Sequence, residues 1–102
     1  MAAYVNVANA ADLQPGQAKM VIAGDKRIAL FNVDGNLFAI DDTCTHRGGP
    51  LSEGACVNRV VTCPWHGAQF SVENGEALAP PAPRSVSTYP VRVTAGFVEV
   101  EV

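Results

Sequence analysis

The apolar segments of this chain are short, rich in β-branched residues and cut off by turn residues, and none keeps a helical period over about ten residues. Many short strands with frequent turns imply an all-β fold, a sandwich or a small barrel. Tyr4–Val7 and Ala18–Ile22 read as strands, joined by NAADLQPGQ with a turn at Pro15-Gly16. RIALFNV and NLFAI flank Asp34-Gly35, a pair that accepts the left-handed backbone of a two-residue hairpin turn. Val57–Thr62 predicts one short strand leading into Cys63, and AQFSV runs into a hairpin turn at Glu73-Asn74-Gly75-Glu76. The last stretch, STYPVRVTAGFVEVEV, predicts two strands around Ala95-Gly96. There Val98, Val100 and Val102 oppose Phe97, Glu99 and Glu101, so the glutamates mark the wet face.

One region breaks this regularity. From DDTCTHRGGPLSEG to CPWHGAQ the chain carries two long loops rich in Gly, Pro, Thr and Ser, on either side of a hairpin. With 102 residues, 48% of them hydrophobic and 17% charged, the expectation is one globular domain spanning residues 1–102. The net charge is −3 and no basic run occurs, which argues against a nucleic-acid partner. The first residues carry no basic segment followed by an apolar one, and no apolar run approaches ~18 residues. Neither export nor a membrane span is expected, and a reducing cytoplasm is the simplest setting. In such a compartment cysteines placed beside histidines point to metal rather than to disulfides.

The two loops hold both histidines and two of the three cysteines. Cys44 and His46 form a C-x-H pair; sixteen residues later, Cys63 and His66 form a C-x2-H pair. Such spacing lets two side chains of one loop converge on one metal centre. Three chemistries are open at this point. The residues could be buried structural side chains, cysteine being a frequent small hydrophobe. Two thiolates and two imidazoles also satisfy a tetrahedral zinc site, although zinc fingers usually keep their cysteines and histidines in separate pairs. The third is a [2Fe–2S] cluster with two histidines on one iron and two cysteines on the other, which suits one cysteine and one histidine from each loop. Gly48, Gly49 and Gly67 would let the backbone approach and aim N–H groups at sulfide.

Cys44-Thr45-His46, the spacer and Cys63-Pro64-Trp65-His66-Gly67 are together similar to the two cluster-binding loops of the Rieske family. The strand pattern before them, the Pro-rich stretch after them and the final hairpin extend the resemblance over essentially the whole chain, to a small Rieske ferredoxin. The resemblance implies a Rieske-type antiparallel β-sandwich with a cluster-binding subdomain made of two loops, at about residues 43–69. It implies one Rieske [2Fe–2S] cluster, with Cys44 and Cys63 on the inner iron. His46 and His66 would bind the outer iron, their free ring edges toward solvent.

Respiratory members of the family carry a membrane anchor and a disulfide between the loops; Gly49 and Trp65 stand at the matching places here. Terminal oxygenases add a mononuclear iron domain, and this chain has no histidines left for one. The likeness is therefore to the free-standing ferredoxin, which is an electron carrier and not an enzyme. Its partners would be a flavoprotein ferredoxin reductase and the terminal oxygenase of an aromatic-ring-hydroxylating dioxygenase system. They would dock transiently at the His46/His66 tip of a cytoplasmic monomer. The alternatives are a small subunit of a nitrite-reductase-like assembly and a zinc-bearing interaction module. High-potential relatives place hydroxyls where this chain has Ala68 and Phe70, which implies a low potential. Cys56 reads as a packing residue and Trp65 as a lid or part of a docking face. Pro80, Pro81 and Pro83 read as a stiff connector or a cover over the cluster, and Arg47 and Arg84 as surface or docking charges.

Overall fold

The computed structural model describes residues 3–43, 49–65, 67–79 and 85–102. Among the described residues, eleven strands form three antiparallel sheets: β1 (Tyr4–Asn9), β2 (Ala18–Ala23), β3 (Lys26–Val33), β4 (Asn36–Asp41), β5 (Ala55–Val57), β6 (Val60–Thr62), β7 (Gln69–Ser71), β8 (Ala77–Ala79), β9 (Thr88–Tyr89), β10 (Val91–Thr94) and β11 (Phe97–Glu101). The strand orders are β1-β11-β10, β2-β3-β4-β9 and β5-β6-β7-β8. Single 3-10 turns at Ala10–Asp12 and Leu51–Glu53 complete the described elements, and no described helix is long and apolar enough to cross a membrane.

The β2-β3-β4-β9 sheet is the middle layer. Ile28 and Leu30 of β3 and Ala39 of β4 point into one core with Leu13, Val98 and Val100. Ala29 and Phe31 of β3 and Ile40 of β4 point into a second core with Leu51, Val61, Phe70 and Val72. A strand in the middle of three layers has no wet face, which is why IALF is uninterrupted in the sequence. β11 covers one layer only, and there the predicted alternation holds: Val98 and Val100 are buried.

Asp34 and Gly35 have φ of 53° and 91°, and Ala95 and Gly96 have 52° and 82°, so two of the three predicted hairpins close through left-handed pairs. Two expected strands are divided. Val57–Thr62 is a hairpin, because Asn58 and Arg59 both turn left-handed, at φ 52° and 65°. Arg59 is held there: its guanidinium pairs with Glu73 at 2.6 Å and stacks 5.3 Å from the Phe38 ring centroid. Its carbonyl also accepts a hydrogen bond from the Val72 N–H at 3.0 Å. The last segment holds three strands rather than two. Thr88–Tyr89 pairs with β4, and after Pro90 the chain crosses to pair Val91–Thr94 with β11. Proline has no N–H to offer a ladder, so it marks the change of sheet.

The connector after β1 is fastened by a buried side chain. Asn32 donates to the Leu13 carbonyl at 2.9 Å and accepts from the Gly35 N–H at 2.8 Å, so both ends of its amide are used.

Candidate metal centre

Both loops grow from the β5-β8 layer and the edge of the middle sheet. The first leaves β4 at Asp42, a carboxylate only 4% exposed. Asp42 donates its N–H to the Arg27 carbonyl at 3.1 Å, and its own carbonyl accepts from Leu51 N at 2.6 Å. Its Oδ1 accepts from Ser52 N at 2.8 Å. One residue thus ends β4 and captures the returning limb, while Thr43 and Pro50 bridge across the base. This loop therefore leaves and returns at one place, with its ends fixed.

The second loop caps the β6-β7 hairpin. Cys63 follows Thr62 directly; its N–H donates to the Ala68 carbonyl at 2.7 Å and its carbonyl accepts from Gly67 N at 3.1 Å. Gly67 sits at φ 76°, which a side chain would strain. The thiol of Cys63 is unpaired and the residue is 3% exposed, in the same core as Ala68, Phe70 and Leu51. Trp65, two residues on, is 56% exposed.

The loops meet where the first returns. A Cβ added to Gly49 would lie 2.7 Å from Cys63 Sγ and 3.1 Å from Trp65 Cγ. The absent side chain leaves the sulfur free on the side that faces the first loop. Of the four expected ligands, Cys63 is the one the structure describes. Cys44, His46 and His66 lie outside the described residues, as do Gly48, Arg47, Arg84 and the three prolines of the Pro-rich stretch. Among the described residues no three His, Cys, Asp or Glu side chains converge.

A buried, unpaired cysteine at the foot of a glycine-lined loop fits a thiolate ligand, and two thiolates with two imidazoles make a complete donor set for a [2Fe–2S] cluster. Cys56 has a different setting. It lies half-buried in β5 opposite Val61, and burial raises its thiol pKa, so it stays protonated at neutral pH. A groove of about 600 Å3 between β3 and β5 is lined by Cys56 and not by Cys63. Asp42 was not singled out from the sequence; its only signal was its position directly before the C-x-H loop.

Asp41, the preceding residue, ties the far end of the Pro-rich stretch to the same edge. It donates its N–H to Ser87 O at 3.0 Å, its Oδ2 accepts from Ser87 N at 3.2 Å, and its Oδ1 accepts from the Tyr89 hydroxyl at 2.5 Å. Partial burial, then that hydrogen bond and the charges of Asp41 and Asp25, push the Tyr89 pKa up to about 12. The folded state therefore holds this proton more tightly than the unfolded chain, where tyrosine ionises near ~10. Its contribution is complete below that pH and falls as pH rises from ~10 to about 12. An alkaline absorbance titration should show Tyr89 ionising at about 12, and Asp41→Asn should lower that midpoint. A Tyr89 midpoint near ~10 in the folded protein would contradict this.

Comparison with known proteins agrees with this geometry. The model of the Rieske [2Fe-2S] domain matches residues 3–90. A relative from Shigella flexneri, the ferredoxin subunit of a 3-phenylpropionate/cinnamic acid dioxygenase, is 41% identical over 92 residues, 89% of this chain and 86% of its own. Among solved structures, a chain from a complex of reduced oxygenase and oxidized ferredoxin in carbazole 1,9a-dioxygenase superposes with a TM-score of 0.88 at 35% identity, covering 95% of this chain and 91% of the other. The small subunit of a putative NADH-dependent nitrite reductase from Mycobacterium tuberculosis superposes at 0.89 with 26% identity, covering 100% and 96%. With three antiparallel sheets, a buried free cysteine between closed loops and a family match across most of its length, this chain belongs to the Rieske [2Fe-2S] domain family, and its cofactor is one Rieske-type [2Fe–2S] cluster.

Proposed function

We propose that this protein is the ferredoxin of a ring-hydroxylating dioxygenase system, carrying single electrons from a flavoprotein reductase to a terminal oxygenase. The observation that carries the reading is the closed pair of loops, with Cys63 buried and unpaired against Gly49. The relatives named as dioxygenase ferredoxins support it, at near-complete coverage. Cys44 and Cys63 would hold one iron, and His46 and His66 the other. The cluster supplies a one-electron redox couple, and the chain supplies its ligands and surroundings. Buried Cys63 keeps its sulfur out of water, and the closed base of the first loop fixes where that loop leaves and returns. Partner docking at the His46/His66 tip, a monomeric state and a cytoplasmic location complete the proposal.

A second reading, the small subunit of a nitrite-reductase-like assembly, is favoured by the structural likeness to the mycobacterial protein over the whole chain. Anaerobically purified protein should contain two irons and two acid-labile sulfides per chain, and it should be brown. One zinc and no sulfide would sink both readings. After chemical reduction, stopped-flow mixing with a terminal oxygenase of the dioxygenase class should reoxidise it; oxidation by a nitrite reductase alone would select the second reading.

A further inference from the structure

Trp65 is the only tryptophan of the chain, and more than half of it lies in solvent. Part of the ring lies beside Gly49, on the returning limb of the first loop. The position of a Gly49 Cβ is 3.1 Å from both Cγ and Cδ2 of the indole, and on the same side 2.7 Å from Cys63 Sγ. Ordinary non-bonded contact between carbons begins at roughly 3.5 Å, so one methyl group here would crowd the ring and the sulfur together. Gly49 is also the residue before Pro50, whose bridge to Thr43 fixes that limb of the loop. Ring, glycine and sulfur therefore form one contact joining two segments that are 14 positions or more apart in sequence.

We propose that Trp65 is a latch. Its indole closes on Gly49, fastens the second loop to the first by apolar contact, and keeps water from the Cys63 sulfur. This rests on the cluster reading above. Trp65 acts through Cys63 and Gly49, so it is a positioning residue. Gly49 is the keeper of the latch, because any side chain there would displace either the indole or the sulfur.

The test uses the intact, cluster-bearing chain and the variants Trp65→Ala, Trp65→Phe and Gly49→Ala. Loss of visible absorption is followed in the presence of an iron chelator at one pH, with the EPR spectrum of each reduced protein as a second readout. Trp65→Ala should lose its cluster about tenfold faster or more, the scale on which outer-shell partners act. Trp65→Phe, which keeps an apolar ring, should stay within about twofold of wild type on that scale. Gly49→Ala should lose its cluster as fast as Trp65→Ala, and its indole emission should become more accessible to acrylamide. An EPR spectrum of Trp65→Ala that differs from wild type, restored by Trp65→Phe, would place the effect at the cluster rather than in general stability. A Trp65→Ala protein with wild-type lifetime and spectrum overturns the latch, as does failure of Trp65→Phe to rescue. Should Trp65→Ala arrive without cluster, a native strand signature in circular dichroism supports the latch and an unfolded chain overturns it. Wild-type protein without iron and sulfide would instead remove the cluster reading, and the latch with it.

Discussion

His46→Ala and His66→Ala proteins should purify almost free of iron and sulfide, whereas Cys56→Ser should match wild-type cluster content. Each histidine is assigned one of only two protein ligands on its iron, and an iron left with one is poorly held. Cys63→Ser should behave like the histidine variants, since the sulfur it removes is the proposed ligand, buried between the loops. Cys56 provides the control. Its thiol sits in β5 with a raised pKa, apart from the loop contact, and serine replaces it almost isosterically. Cluster binding is linked to folding, so the emptied variants should also melt earlier. In a domain of this size each 1 kcal/mol lost lowers the Tm by roughly 4–8 °C. Iron and sulfide analysis with a thermal melt checks both statements. Loss of the cluster in Cys56→Ser alongside its retention in His46→Ala would overturn the ligand assignment.

The potential of the wild-type protein should lie toward the negative end of the ~−150 to +300 mV Rieske range. The reduced cluster carries more negative charge, so a hydrogen bond to its sulfur favours reduction and raises the potential. Ala68 and Phe70 are both fully buried, share a core with Cys63 and offer no hydroxyl. Ala68→Ser and Phe70→Tyr should each raise the potential. A bond worth ~1 kcal/mol to the reduced state corresponds to roughly 40 mV for one electron. The same variants report whether the new hydroxyl finds its sulfur: a buried hydroxyl without a partner costs about 1–3 kcal/mol of stability. A rise in potential with little loss in Tm is the expected pair of results. Voltammetry at one pH is the measurement, and a wild-type value above about +200 mV would rule out this account.

Where a turn demanded a particular residue, the sequence was readable. Asp34-Gly35 and Ala95-Gly96 marked their hairpins because a left-handed pair favours glycine at its second position. Asn58-Arg59 adopts the same geometry without glycine, supported by Glu73 and Phe38, which are distant in sequence, so no local signal announced it. The break at Pro90 was not read from the sequence, where STYPVRVT passes for one strand, because the partner of Thr88–Tyr89 is β4, nearly fifty residues earlier. At the site, the C-x-H and C-x2-H pairs pointed to a metal centre but left zinc and a cluster both open, and it was the likeness to the Rieske family that favoured the cluster. The closure of the loops did not show. It depends on Asp42 using backbone and side chain together to hold Leu51 and Ser52, and on the contact of Gly49 with Trp65 and Cys63. Both are tertiary relations between residues of ordinary type.

The placement of β3 between two cores bears on which substitutions this chain can accept. In β11 every second position faces outward and can drift among polar residues. Ile28, Ala29, Leu30 and Phe31 have no such freedom, since successive side chains enter opposite interiors and all four are at most 1% exposed. A larger residue at Ala29 would press on the layer beneath the loops, and one at Leu30 on the layer that ends in β11. Variation acceptable to one interior must be acceptable to its neighbour through the same backbone. Sequence divergence should therefore gather at the outer sheets and turns and leave this four-residue run nearly unchanged, even in a descendant that no longer binds iron.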